Sequence, residues 1–259
     1  MSVSISLVVS TLNEEHNIAD CIRSAQELVN EVIVVDMHSD DRTVEIAGSL
    51  GATVHLVERR PFVDPTRNFA IAQATGNWIL LLDADERLTP KLATELRIIA
   101  EKDQADVVSI QFDTYMFGRH IRYSGWQEDR HHRFFKKGFL EYPDREIHAH
   151  PIIIGRQLIL DGNKGKIQHF NFQDLRDFIK TINDYTDGES LQLLRSGVKI
   201  TPLRGIYWGL RHFCRRYLKM RGYKDGMYGL ILSVFMGFYW FLTFSKAWER
   251  KQRSRKIAI

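Results

Sequence analysis

A chain of 259 residues with 44% hydrophobic and 26% charged side chains can bury one substantial core with an appended element, and is short for two ordinary domains. With no low-complexity tract, collagen period or internal repeat, it belongs to neither the disordered nor the fibrous class. The net charge of +4 is unevenly spread: from Arg204 onward 13 Lys and Arg face only Asp225 and Glu249, giving +11, whereas residues 1–203 carry −7.

Met1-Ser2-Val3-Ser4 has no charged n-region and Ile5–Val9 is too short for an h-region, so no export signal is read. Cys21 and Cys214 form no CxxC and have no histidine at ligand spacing, so neither a disulfide framework nor a zinc site is signalled, which favours a reducing cytoplasm. Ser4–Ser10 is a β-branched run, followed by the loop Thr11-Leu12-Asn13-Glu14-Glu15 and then by Ile18, Ile22, Ala25 and Leu28 at helical spacing. The unit repeats as strand Glu31–Val35, loop Asp36–Asp41 and helix Thr43–Leu50. A strand at Thr53–Val57, a helix at Arg67–Ala74, an apolar strand at Trp78–Leu82 and a helix at Pro90–Glu101 complete the series. Alternating strands and helices predict an α/β class, Rossmann-like, with a mostly parallel sheet covered by helices on both faces. Ligands of such sheets sit beyond the carboxyl ends of the strands.

After Asp106, Val107–Tyr115, His132–Lys136 and Pro151–Ile154 are strand-like pieces without helical periodicity between them, and predict a smaller mixed region facing an acceptor. Helices are expected at Leu175–Leu194 and Pro202–Tyr217, and Gly226–Ser245 is a run of twenty residues with no charge. The division expected is residues 1–105 as a donor-binding half, 106–200 as an acceptor-binding half of the same domain, and 201–259 as a basic helical tail.

Asp83-Ala84-Asp85 stands directly after an apolar strand. Two carboxylates one residue apart at a strand end can converge on Mg2+ or Mn2+ and leave positions for phosphate oxygens. Such an ion stabilises a departing nucleoside diphosphate as a Lewis acid. The bland alternative is an acidic turn before a helix. Asp36, at the end of Val32–Val35, can accept hydrogen bonds from a nucleobase or ribose, while Ser39, Asp40 and Asp41 form a turn and cap the next helix. No GxGxxG follows the first strand and no GxxxxGK[ST] occurs, so a dinucleotide dehydrogenase or P-loop hydrolase is not expected.

Ser6 through Glu15, Val35-Asp36 through Thr43, Arg67-Asn68-Phe69-Ala70 and Leu82-Asp83-Ala84-Asp85-Glu86 together resemble the family 2 glycosyltransferases, which have the GT-A fold. The resemblance implies inverting transfer from a nucleotide sugar, a UDP-hexose by preference, with Thr11, Asn13, Glu14, Asp36 and Arg67 around the nucleotide. It also implies Asp83, Ala84 and Asp85 at the diphosphate, with Asp83 and Asp85 on the metal. Gly125 through Arg130, Arg133-Phe134-Phe135, Ile147-His148, Ile167-Gln168-His169 and Arg221 through Gly226 are similar to the small lipopolysaccharide-core glucosyltransferase branch. Where that branch has His-Glu this chain has His148-Ala149, so the carboxylate's role is absent or moved.

Inversion needs one general base for the acceptor hydroxyl. The resemblance puts Asp129 there, about forty residues after the paired carboxylates, with Glu128 as competitor and a salt bridge of Asp129 to Arg130 or Arg133 as the structural alternative. His148 and His169 are candidates for completing a metal shell or touching the diphosphate. The tail interleaves apolar residues with cations, which favours an anionic membrane surface over nucleic acid. Gly226–Ser245, broken by Gly229, Ser233, Gly237 and Thr243, is expected to lie in or against the interface. Arg211, Arg215, Arg216, Lys219 and the Lys246–Lys256 cluster would then sit on anionic headgroups, and a core-packing or dimer-forming helix pair, or a true membrane span, is the alternative. The acceptor is expected to be a lipid-linked or lipopolysaccharide-core glycan, or else a polyprenyl-linked or capsular one, at the cytoplasmic face of a bacterial inner membrane. A non-catalytic sugar-nucleotide-binding scaffold is the alternative from another class.

Overall fold

The computed structural model describes residues 3–60, 66–143 and 151–257. The chain forms two compact units, one of residues 1–113 with 128–171 and the other of residues 114–127 with 172–259.

The first unit opens with β1 (Ile5–Thr11), all seven residues of which are buried. A run without polar alternation is what a strand covered on both faces requires. The order continues with α1 (Ile18–Ala25), β2 (Glu31–Asp36), α2 (Thr43–Ser49), β3 (Thr53–Leu56), α3 (Arg67–Gln73), β4 (Trp78–Asp83), β5 (Glu86–Leu88) and α4 (Pro90–Glu101). Apart from α1, which ends at Ala25 three residues short of Leu28, each element predicted here lies within about a residue of its expected bounds. Thr89 caps α4 by accepting from the Leu92 amide, and Pro90 occupies the first turn, where no amide donor is needed.

Strands β3, β2, β1 and β4 are neighbours and mutually parallel. Leu7 and Val9 of β1 pack with Ile18, Ile22 and Leu96 in one core, whereas Val8 packs with Ala70 and Ile71 of α3 in another, so helices cover both faces. Beyond β4 the sheet becomes antiparallel. β6 (Val107–Met116) follows, then β7 (Arg119–Ile121), and β8 (Arg130–Lys136) inserts between β4 and β6. Phe134 of β8 stacks on Trp78 at 4.5 Å between centroids, and both are buried. β8 starts two residues before the expected His132. β9 (Leu140–Glu141) pairs with β10 (Ile152–Ile153), while β11 (Gln157–Ile159) runs parallel to β6 and β12 (Ile167–Phe170) antiparallel to β5.

In the second unit, the end of β6 forms a hairpin with β7. α5 (Leu175–Arg195) is capped by Asp174, whose carboxylate accepts from the Asp177 amide, and it buries Phe178, Ile182, Thr186 and Ser190 at four-residue spacing. α6 (Pro202–Cys214) gives way to a π-helical turn at Arg215–Lys219, which is where the expected helix to Tyr217 changes pitch. α7 (Gly226–Ile257) outruns the uncharged segment by twelve residues, because Ala247 through Lys256 is rich in strong helix formers. α6 and α7 cross closely: a Cβ on Gly209 would lie 2.9 Å from the Gly237 carbonyl oxygen, and one on Gly237 would lie 2.8 Å from that of Gly209. α7 buries Leu232, Phe244 and Ala247, and Lys246 and Arg250 bind Asn183 and Asp187 of α5. One face of the uncharged segment is therefore a packing face.

Candidate active site

The parallel register aligns three candidate residues at the carboxyl edge of the sheet, with Thr11 of β1 beside Asp36 of β2 and Ser10 beside Asp83 of β4. This edge is where open α/β sheets bind ligands.

The loops above β1 and β2 are laced together. Asn13, in the left-handed region at φ 57°, donates its amide to Ser39 Oγ at 2.7 Å and accepts on Oδ1 from the Asp40 amide at 2.7 Å. Asp36 is buried and accepts from the Ser39 amide and hydroxyl at 2.8 and 2.5 Å. Its carboxylate thus serves the turn read from Ser39 to Asp41. Thr11 Oγ1 is buried with no hydrogen-bond partner among the described residues. Glu14 donates its amide to Thr43 Oγ1 and accepts on its carboxylate from Asn17 Nδ2 at 2.8 Å. Burial, aided by the negative charges of Asp85 and Asp83, pushes the Glu14 carboxyl up to about 7.

Asp83 is gripped by two guanidinium groups. Arg67 Nη2, at the start of α3, donates to both of its oxygens at 2.9 and 3.1 Å, and Arg133 Nη2, from β8, donates to Oδ2. The same Arg133 nitrogen donates to Glu86 Oε1 at 2.5 Å, and Glu86 Oε2 accepts from the Asp83 amide at 3.1 Å. Burial opposes ionisation of Asp83, but Arg133 and Arg67 outweigh it and hold the carboxyl well below the usual range. Glu86 is fully buried, and its carboxyl is raised because burial outweighs the pull of Arg133 and His169. Arg133 also lies over the Phe112 ring and Arg67 over Tyr142, so apolar faces confine both cations.

Asp85 points to a different partner. β12 pairs with β5 so that His169 is opposite Glu86, and His169 Nε2 sits 3.2 Å from Asp85 Oδ2. Burial works against the imidazolium, yet Asp85 and then Glu86 push His169 up to about 9. Both side chains keep 21% of their surface open to solvent. Among the described residues no three His, Cys, Asp or Glu side chains form a complete metal cage. The carboxylate of Asp85 suits Mg2+ or Mn2+, which take few protein ligands and fill the remaining positions with water and phosphate oxygens, and His169 would add a nitrogen on giving up the proton that Asp85 stabilises. The donor set at Asp85 and His169 fits such an ion, while the oxygens of Asp83 serve Arg67 and Arg133.

Asp129 immediately precedes β8. Because β8 runs antiparallel to β4, with Phe135 opposite Ile79, its first residues lie toward the carboxyl end of β4. Asp129 is half-buried, its carbonyl accepts from the Phe112 amide at 3.1 Å, and Glu128 beside it is exposed. Of the two arginines considered as its partners, Arg133 binds Asp83 and Glu86, and Arg130 donates to the Leu160 carbonyl at 2.8 Å. His148 and Ala149 lie outside the described residues. Sequence reasoning gave Glu86 no role and missed the bridging role of Arg133, although both stand in the quoted segments Leu82 through Glu86 and Arg133-Phe134-Phe135.

The model of glycosyl transferase family 2 matches residues 6–161, and the chain belongs to that family. It is a glycosyltransferase with a GT-A fold. An uncharacterized glycosyltransferase of Rickettsia typhi is 28% identical over 98% of this chain and 89% of its own length. The lipopolysaccharide core biosynthesis glycosyltransferase LpsC of Rhizobium meliloti is 25% identical over 95% of this chain and 92% of its own. Among solved structures, residues 1–349 of S. aureus TarS superpose with a TM-score of 0.50, at 13% identity, over 98% of this chain and 92% of that one, a likeness of fold.

Proposed function

We propose that the protein is an inverting, metal-dependent hexosyltransferase. It moves glucose from UDP-glucose to a hydroxyl of a lipid-linked or lipopolysaccharide-core glycan, working peripherally at the cytoplasmic face of the inner membrane. The observation that carries the reaction is the division of labour at the carboxyl edge: Asp83 fixed by Arg67 and Arg133, and Asp85 left beside His169. The similarity to LpsC supports the acceptor class.

Residues 1–105 form the donor half in this reading, and 106–200 the acceptor half. Thr11, Asn13, Glu14 and Asp36 contact the nucleoside. The unpaired Thr11 hydroxyl offers a hydrogen bond, and the laced loops hold their geometry without donor present. Arg67 and Arg133 share their charge with Asp83, and that ion-paired group backs the diphosphate position at Ala84. Asp85 and His169 would hold Mg2+ or Mn2+, which when bound neutralises charge developing on the leaving diphosphate.

Asp129 takes the proton from the acceptor hydroxyl as its oxygen attacks the anomeric carbon from the side opposite the diphosphate. One C–O bond forms as the other breaks, so configuration inverts. Release of UDP from UDP-glucose, measured with and without EDTA, tests the reading. Turnover should need Mg2+ or Mn2+, and full activity in chelator would remove the metal from it.

A further inference from the structure

The second unit carries an apolar surface that its own packing does not use. On α6, Leu203, Ile206, Tyr207 and Leu210 are 77%, 48%, 61% and 61% exposed, and the stripe continues through exposed Cys214 to Leu218 at 58%. Their spacing of three and four residues places them along one side of the helix. The opposite side is the one packed on α7, through Gly205 against the Phe244 Cβ and Gly209 against the Gly237 carbonyl. The exposed stripe is thus turned away from the helix's structural partner.

The charges beside the stripe are of one sign. From Pro202 to Lys219 there is no carboxylate, and Arg204, Arg211, Arg215 and Lys219 are all exposed. A helix with a bare apolar stripe flanked by cations is the pattern of a segment lying in the plane of an anionic bilayer. α7 also exposes Val234, Phe238 and Phe241, but its first twenty residues hold no cation to pair with headgroups. A second copy of the chain is disfavoured as the occupant, because a symmetric contact would bring the same four cations face to face.

We infer that α6 is the helix that docks this protein on an anionic lipid surface, with Leu203, Tyr207 and Leu210 in the acyl boundary and Arg211 and Arg215 on the headgroups. The inference rests on the membrane placement proposed above and says which helix performs it. α7 is then the brace beneath, held to α6 at the Gly209–Gly237 crossing.

The test is flotation of the full chain with phosphatidylcholine vesicles, pure or with about one-third phosphatidylglycerol. Wild type should float with the anionic vesicles only. Leu203→Ser/Tyr207→Ser/Leu210→Ser should lose about tenfold or more in partition, since three side chains no longer leave water. Its melting temperature and UDP-glucose turnover should stay at wild-type values, because the substituted side chains are exposed. Arg211→Gln/Arg215→Gln should weaken binding to anionic vesicles in a salt-dependent way. A fluorophore on Cys214, the exposed one of the two thiols, should shift to the blue on anionic vesicles. Wild-type partition by the triple variant, with loss instead in Phe238→Ser/Phe241→Ser, would move docking to α7 and overturn the inference. A triple variant that dissociates a dimer while floating normally would assign the stripe to self-association. If wild type floats with neither vesicle, the membrane placement itself fails, while UDP-glucose turnover still judges the catalytic reading.

Discussion

His169 Nε2 lies 3.2 Å from Asp85 Oδ2, brought there by the antiparallel pairing of β12 with β5. The two donors are 84 residues apart in sequence, so strand pairing builds the site. If they hold the ion, His169→Ala should raise the Mn2+ concentration for half-maximal turnover by about tenfold or more, with a smaller change in the KM for acceptor. A Mn2+ titration of initial rates measures this. An unchanged Mn2+ requirement would leave His169 as a partner of Asp85 only.

Arg133 is the second prediction. It is 6% exposed at its side chain and bridges Asp83 and Glu86. Removing one member of a buried charge group leaves the others uncompensated, so Arg133→Met should cost about 3–5 kcal/mol in urea unfolding. Arg133→Lys should recover only part, because the more strongly hydrated ammonium does not replace the planar guanidinium that lies over the Phe112 ring. Adding Glu86→Gln to Arg133→Met should restore some stability by removing a buried carboxyl that has lost its partner and must otherwise take up a proton.

Asp129 and Glu128 separate the two candidates for the base. Asp129→Asn should lower kcat by about 10²- to 10⁴-fold with UDP affinity unchanged, the range expected for losing one proton-transfer group. Glu128→Gln should leave kcat within about twofold, as an exposed neighbour not engaged in proton transfer would. Rates together with UDP binding by calorimetry make the comparison. The reverse pattern would transfer the role to Glu128.

The pH dependence of stability should be visible at Asp106. Its carboxylate accepts from Arg156 and from Lys136 Nζ at 2.7 Å, and these cations, Arg156 first, hold its pKa well below the ordinary value. A carboxyl depressed in the folded state contributes stability that is complete above the unfolded pKa of about 4 and fades as pH falls toward the folded value. Asp106→Asn should therefore cost about 2 kcal/mol at pH 7, and progressively less below about pH 4. Chemical unfolding at several pH values checks the sign. A cost that grows on acidification would contradict it.

The first hundred or so residues were legible because most of their strands and helices are long enough to show their periods, and because candidate carboxylates stand where strands end. Asp36 follows Val32–Val35 and Asp83 follows Trp78–Leu82, so position alone placed both at the carboxyl edge. The strands β5, β7, β9, β11 and β12 have two to four residues each, too few to display alternation, and they exist through pairing with distant partners. The bridge from Arg133 to Asp83 and Glu86 spans about fifty residues and has no local pattern. The tail gave its length and charge but not its exposed face. That face depends on Gly209 and Gly237 turning α6 and α7 toward each other.

The most direct test is a crystal structure of the protein with UDP and Mn2+. An ion bonded to Asp85 and His169 at about 2.2 Å, completed by diphosphate oxygens and with Asp83 still held by Arg67 and Arg133, is the predicted result. UDP bound at the carboxyl edge with no ion beside Asp85, or an ion on Asp83 with both arginines displaced, would contradict the account.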